Sequence, residues 1–185
     1  MATTGKIRSN AIGIFISNES ANSGTFSGNT YGDNTSENDT WEIVACATSG
    51  TFSGSMEVID ATTKDNDGER EILTSSLSWT MTADGLVEYG LSSSVRSAAD
   101  LFTLWKAKTK VKVAWTTGLD GDLMYWGKAY ITSYEETAGL NEVASFSVNF
   151  EGDGTIYKTV LDTSKATFNL NTAWPTSSKA SSRCN

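Results

Sequence analysis

The chain has 185 residues, 38% of them hydrophobic and 10% aromatic, enough for one domain with its own core and no need of disulfide staples. A formal net charge of −8 excludes ordinary nucleic-acid binding, which takes clustered Lys and Arg to neutralise phosphates. Histidine is absent, and with it go the Ser-His and Cys-His nucleophile pairs and most zinc sites.

The opening Met1-Ala2-Thr3-Thr4-Gly5-Lys6 has no apolar run of signal-peptide length, and nothing downstream is long enough to span a bilayer, so no membrane contact is expected. Residues 11–17 alternate Ile12, Ile14 and Ile16 against Gly13, Phe15 and Ser17, the pattern of a first strand. Residues 18–40 are rich in Asn, Ser, Gly, Thr and Asp and read as a long loop or arm. Within it, Ser23-Gly24-Thr25-Phe26-Ser27-Gly28 recurs letter for letter at Ser49–Gly54. No fixed period continues the match, so it reads as two Gly/Ser turns of similar composition.

Trp41–Thr48 is a second strand, and Ser55–Ala61 a third after the Gly/Ser turn. Cys46 and Cys184 do not make a disulfide framework, and separate thiols in a reducing cytoplasm are expected. Residues 61–71 carry no large apolar side chain, a polar excursion that a compact domain rarely keeps without a use. Ile72–Asp84 is a fourth strand, with Leu77, Trp79 and Met81 on one face and Ser76, Ser78, Thr80 and Thr82 on the other, ending in an Asp84-Gly85 turn.

Residues 95–108 read as the one helix: Ser97-Ala98-Ala99-Asp100 has capping-box spacing, and Ala98, Phe102 and Trp105 form a stripe widened by Leu101 and Leu104. Lys106, Lys108 and Lys110 gather at its end, where the helix dipole favours cations. Lys110–Thr117 alternates Val111, Val113 and Trp115 against Lys110, Lys112 and Ala114. Leu123–Thr137 is a long aromatic strand, Glu142–Glu151 another, and Ile156–Leu161 a short last one. The expected fold is mainly β: an antiparallel sandwich or partial barrel of seven or eight strands with one flanking helix. It forms one domain over residues 1–161, with residues 162–185 as a C-terminal extension or arm.

Candidate sites for chemistry are few. Glu135 and Glu136 are neighbours on one strand and point to opposite faces, so they are not a facing carboxylate pair and read as surface charge. Asp65-Asn66-Asp67-Gly68 and Asp120-Gly121-Asp122 lack the downstream acid of a complete calcium loop and read as turns. The sequons at Asn18, Asn34 and Asn38 carry no weight without an export signal. Trp126, Tyr130 and Tyr134 share a face by strand parity while Tyr125 does not, which suits core or subunit interface better than a sugar platform. No catalytic constellation, cofactor site or metal site is expected.

The order of elements carries a resemblance. A strand ends Val58-Ile59-Asp60-Ala61-Thr62-Thr63-Lys64-Asp65, and a charged loop with Gly68 and Glu71 follows. A strand bearing Leu77-Ser78-Trp79 then ends Asp84-Gly85-Leu86, before one helix, a strand at 110–117 and two long closing strands. Over residues 41 to 158 this resembles the major tail protein, or tail tube protein, family of long-tailed bacteriophages. The resemblance implies a structural virion protein, not an enzyme, that forms hexameric rings. Sheets from six subunits would join around a channel, and the rings would stack into the tube through which genomic DNA leaves without specific binding. It implies further partners in tail terminator, tape measure and distal tail proteins, with assembly in the host cytoplasm.

On that expectation, the polar faces Thr74, Ser76, Ser78, Thr80, Thr82 and Ser145, Ser147, Asn149, Glu151 line the lumen. The loop residues Thr62, Lys64, Asp65, Asp67, Glu69, Arg70 and Glu71 make inter-subunit contacts, and residues 18–40 and 162–185 are candidate arms. The competing readings are another phage structural role, as tail terminator or capsid decoration protein, and a carbohydrate-binding or adhesive sandwich using exposed aromatics.

Overall fold

The computed structural model describes residues 12–17, 39–62, 69–88, 95–161 and 166–169. Its strands are β1 (Gly13–Ser17), β2 (Asp39–Val44), β3 (Ala47–Asp60), β4 (Ile72–Leu86), β5 (Val95–Arg96), β6 (Lys110–Thr116), β7 (Leu123–Thr137), β8 (Ser145–Val160) and β9 (Ala166–Asn169), with one helix, α1 (Ala98–Lys106). All belong to one sheet in the order β3-β4-β8-β7-β6-β1-β2-β5, and β9 pairs with β2. The mainly β class with a flanking helix is as expected, and the sheet folds over on itself.

Two long strands carry that fold-over. β8 pairs with β4 only from Ser145 to Glu151, but with β7 along nearly its whole length to Val160. β7 in turn pairs with β6 only as far as Tyr130. The sheet is therefore two overlapping halves that share β7 and β8, and β-bulges at Gly127–Ala129 and Ile131–Ser133 turn one half relative to the other. Between the halves lies the main core. Trp79, Met81, Phe146, Val148 and Phe150 come from one side, Ile14, Ile16, Val111 and Val113 from the other, and Ala98 and Leu101 from the helix. A second cluster, including Phe15, Trp41, Met124 and Trp126, occupies the opposite face of β1, β2, β6 and β7.

Several boundaries differ from expectation, each for a packing reason. Ser49–Gly54 is not a turn but the middle of β3. A Cβ on Gly50 would press on the Trp115 ring at 3.1 Å, where β3 passes over Trp115 and Ile14 of the other half of the sheet. Asp84-Gly85 is likewise strand, and a Cβ on Gly85 would collide with the Phe146 ring. β8 runs unbroken through Gly152-Asp153-Gly154, because Gly152 leaves room for the Trp79 indole. The turn absent from 49–54 falls at Ala45-Cys46, where Cys46 takes a φ of 54° and the chain passes from one half to the other. Cys46 is disulfide-bonded, against the expectation of separate thiols; Cys184 lies outside the described residues.

β1 and β6 are covered on both faces, so Phe15 is buried alongside Ile14 and Ile16, and Lys112 is only 3% exposed. The helix is shorter than expected. Val95–Arg96 pairs in parallel with β2, and Ser97 caps the helix by accepting from the Asp100 amide while Asp100 accepts from the Ser97 amide. Its buried stripe is Ala98 and Leu101; Phe102 and Trp105 sit at the rim. Ala166–Asn169, in the expected C-terminal extension, pairs in parallel with β2. Of the expected arm at residues 18–40, residues 18–38 lie outside the described residues, and Asp39 and Thr40 begin β2.

Candidate functional site

The register of β4 against β8 sets Thr80 opposite Glu151, Thr82 opposite Asn149 and Asp84 opposite Ser147. Paired residues in antiparallel strands share a face, so the two runs singled out from the sequence meet as one surface. β3 extends it with Ser55, Ser53 and Thr51 opposite Ser78, Thr80 and Thr82, and β7 extends it with Ser133, Glu135 and Thr137 opposite Asn149, Ser147 and Ser145. Ser76 lies farther out, where β3 and β4 continue past the end of β8 pairing as a two-stranded hairpin. The register shift between Met56 and Val58 adds a residue to β4 and turns Thr74 to the opposite face, against the expected alternation.

Hydroxyls on this face bond to one another across the strands. Ser49 and Ser147 donate to the two oxygens of Asp84 at 2.6 and 2.7 Å, and the Ser55 and Ser78 hydroxyls lie 2.7 Å apart. Asn149 donates to Thr132 at 3.2 Å, and Ser76 donates to Glu57 at 3.0 Å. The four strand segments 49–55, 78–84, 130–137 and 145–151 contain no Lys or Arg, while Asp84, Glu135, Glu136 and Glu151 give them carboxylates. Such a surface is wetted and weakly repels polyanions.

The face is bounded by open edges. Among the described residues β3 has β4 as its only strand partner, and no described strand pairs with β7 on its β6 side beyond Tyr130. Each of the three pairings β3–β4, β4–β8 and β8–β7 is antiparallel, so the two edge strands run in opposite directions. Unpaired edges of this length are aggregation hazards unless a partner strand covers them.

At the far end of the hairpin, the neck of the polar loop is closed by the Ala61 amide donating to the Glu71 carbonyl at 2.9 Å and the Glu71 amide donating to the Thr62 hydroxyl at 3.1 Å. Arg70 donates to Asp60 at 3.3 Å. The hydrogen bonds from Thr62 hold the Asp60 carboxyl below its ordinary range, with that from Arg70 adding to them. Glu69 is exposed beside them; Lys64, Asp65 and Asp67 lie outside the described residues.

The remaining candidates dissolve into structure. Glu135 faces Ser147, and Glu136 accepts from the Tyr134 hydroxyl. Asp122 is buried and accepts from Thr117 at 2.5 Å inside the β6–β7 turn. No group of three metal-ligating side chains converges among the described residues. Parity misassigned the aromatics, because the bulge at Ile131–Ser133 adds a residue to β7 and resets it: Trp126 is buried in the second cluster, while Tyr134 packs on Phe102 and Trp105 of the helix. What sequence reasoning missed is apolar exposure on the hairpin. Leu77 and its partner Met56, on the core side of the hairpin, are exposed, Leu77 by 80%, and beyond the bulge in β4 the exposed pair Ile59 and Leu73 lies on the polar side. The signal was present in strand length, since β3 and β4 outrun the strand beside them.

A family model described as phage tail tube protein matches residues 31–158. The chain belongs to the phage tail tube protein family. Solved structures share the fold of this tail tube protein at low identity. One is the tail of an empty gene transfer agent particle with C6 symmetry, with 16% identity, a TM-score of 0.60, and coverage of 84% of this chain and 100% of that one. Another is the SPP1 tail tube, with 12% identity, a TM-score of 0.60, and coverage of 84% of this chain and 80% of that one. A third is the tube-terminating cap of the anti-feeding prophage, with 15% identity, a TM-score of 0.51, and coverage of 87% and 95%. No curated protein matches the sequence. The tail tube subunit is a structural component of the virion.

Proposed function

We propose that six copies of the chain close into a ring by joining β3 of one subunit to β7 of the next, edge to edge. The observation that carries this reading is the pair of open, oppositely directed edges flanking one cation-free polar face. Because the directions are opposed, the join continues the antiparallel order without a break, and the four strands β3, β4, β8 and β7 of each subunit become part of one barrel wall. Sixfold closure follows the C6 tail whose fold the chain shares.

In that wall Ser76, Ser78, Thr80, Thr82, Ser145, Ser147, Asn149 and Glu151 face the lumen, whereas Thr74, beyond the bulge in β4, turns to the other side. DNA slides past hydroxyls and carboxylates that offer its phosphates no counter-charge. The loop residues Thr62, Lys64, Asp65, Asp67, Glu69, Arg70 and Glu71 stand at the end of the hairpin and contact a neighbouring subunit. The protein acts by assembly rather than catalysis. It polymerises from the host cytoplasm into the virion tail and meets terminator, tape measure and distal tail proteins at the tube's ends and interior.

Electron microscopy of the purified protein at high concentration tests the ring. Rings or tubes with a central hole are expected. Thr82→Cys tests the face: in assembled tubes the thiol should react with a small maleimide and be shielded from a maleimide carried on a bulky protein. Equal reaction with both reagents places the face outside and overturns the assignment.

A further inference from the structure

We propose that successive rings are held by a tip-in-groove contact, in which the β7–β8 turn of one copy seats in an apolar groove beneath the β3–β4 hairpin of a copy in the next ring. The inference rests on the tube reading above and names the surfaces that stack.

The tip is Leu140 and Val143, 93% and 67% exposed, on a tight turn closed by the Glu142 amide donating to the Gly139 carbonyl at 3.3 Å. Turns favour Gly, Asn and Asp, and Asn141 supplies the positive φ of 66° here. Nothing in the subunit's own folding calls for a leucine held out into water beside it.

The groove has a volume of about 430 Å³ and is lined by Phe52, Met56, Leu77, Trp79 and Ile156. Its walls are fixed rather than loose. Trp79 Nε1 donates to the Gly154 carbonyl at 3.0 Å, and the Phe52 ring stacks on Tyr125 with centroids 5.5 Å apart. It opens where β4 parts from β8, so that the core face of the hairpin runs on past the end of that pairing with no cover from the described residues.

Tip and groove stand toward opposite ends of β8, about 40 Å apart by the rise of a strand. They cannot meet within one chain. A second copy displaced along the strands brings them together, and because each copy offers both surfaces the contact repeats without limit, as a stack requires. Charge supports the same pairing. Glu142 lies between the two tip residues, and Lys158 stands on the Ile156 side of β8 beside the groove; neither makes an ion pair among the described residues.

Electron microscopy of variants tests the contact, with circular dichroism confirming that each subunit is folded. Wild type should give long tubes, while Leu140→Asp and Leu77→Asp should each give rings that no longer stack. Glu142→Lys should shorten the tubes, and Glu142→Lys combined with Lys158→Glu should restore them. Tubes of unchanged length from Leu140→Asp, or a charge-swapped pair that stays short, overturn the contact while leaving the ring intact. Loss of the rings themselves in Leu77→Asp assigns the groove to a neighbour within the ring and also overturns it. Wild-type protein that forms neither rings nor tubes refutes the tube reading, and the stacking contact with it.

Discussion

Trp79 lies over Gly152, where a side chain of any size would occupy the space of its indole, and the same ring closes against Gly127. Its Nε1 donates to the Gly154 carbonyl at 3.0 Å. This is the point at which β4 leaves β8, whose last pair is Thr80 with Glu151. One indole thus sets the angle at which the hairpin departs and forms a wall of the groove beneath it. Gly152→Ala should overpack this site and lower subunit stability by about 1–3 kcal/mol. Trp79→Phe, which loses the hydrogen bond but keeps an aromatic ring, should cost about 1 kcal/mol for that bond. Urea denaturation of unassembled subunits measures both, and an unchanged midpoint for Gly152→Ala would mean that the indole is not held where the structure has it.

Positive charge on the polar face should leave folding alone and impair DNA passage. Thr82 faces Asn149 across β4 and β8 at a half-exposed position, so Thr82→Lys alone, which sets no like charge opposite, should change stability by no more than about 0.5 kcal/mol. In a virion the new lysines would meet phosphates at every ring, and attraction summed along the tube should slow ejection, most at low salt. Triggered release of DNA from variant particles is the measurement. Release at the wild-type rate at every salt concentration would remove Thr82 from the lumen.

The alternation in β4 and in the first half of β8 was legible because each strand buries one face only. Thr80 to Asp84 and Ser147 to Glu151 followed the simple period, and the polar surface they form was foreseen as two separate runs. β1 and β6 were harder, since Phe15 and Lys112 are buried where alternation expected an open face. Glycine misled most. At Gly50, Gly85 and Gly152 it admits a neighbouring side chain or strand, and that use is indistinguishable in sequence from a turn. Parity arguments along β7 failed at Tyr134 because a bulge inserts a residue without any compositional mark. The open edges, which matter most for assembly, are properties of the pairing and had no sequence signature.

Helix α1 depends on its first turn. Ser97 accepts from the Asp100 amide at 3.3 Å, and Asp100 returns a bond from the Ser97 amide at 3.0 Å, so two otherwise unpaired donors are satisfied together. Ser97→Ala should cost about 1 kcal/mol. Because α1 packs Leu101 into the main core, the loss should appear in the global unfolding transition rather than as local fraying. A separate early transition in thermal melts would contradict that coupling.

Glu42 on β2 gives the fold a measurable pH dependence. Burial raises its carboxyl above the ordinary value of 4.5; Arg96, with Nε 2.6 Å away, opposes the shift, and Asp100 adds to it. A raised folded value means that the native state binds more protons than the unfolded one between the two values. Stability from this group therefore falls as pH rises through the window that begins at the unfolded value, and levels off above the folded one. Glu42→Gln removes the titration and also removes the ionic partner of Arg96, so the offset between wild type and variant has mixed origin and its slope is the diagnostic. The melting temperature of wild type minus that of Glu42→Gln should decline as pH is raised from about 4 to about 7. A difference that stays level would mean that burial does not govern this carboxyl, and one that grows would mean that the pair with Arg96 outweighs the desolvation.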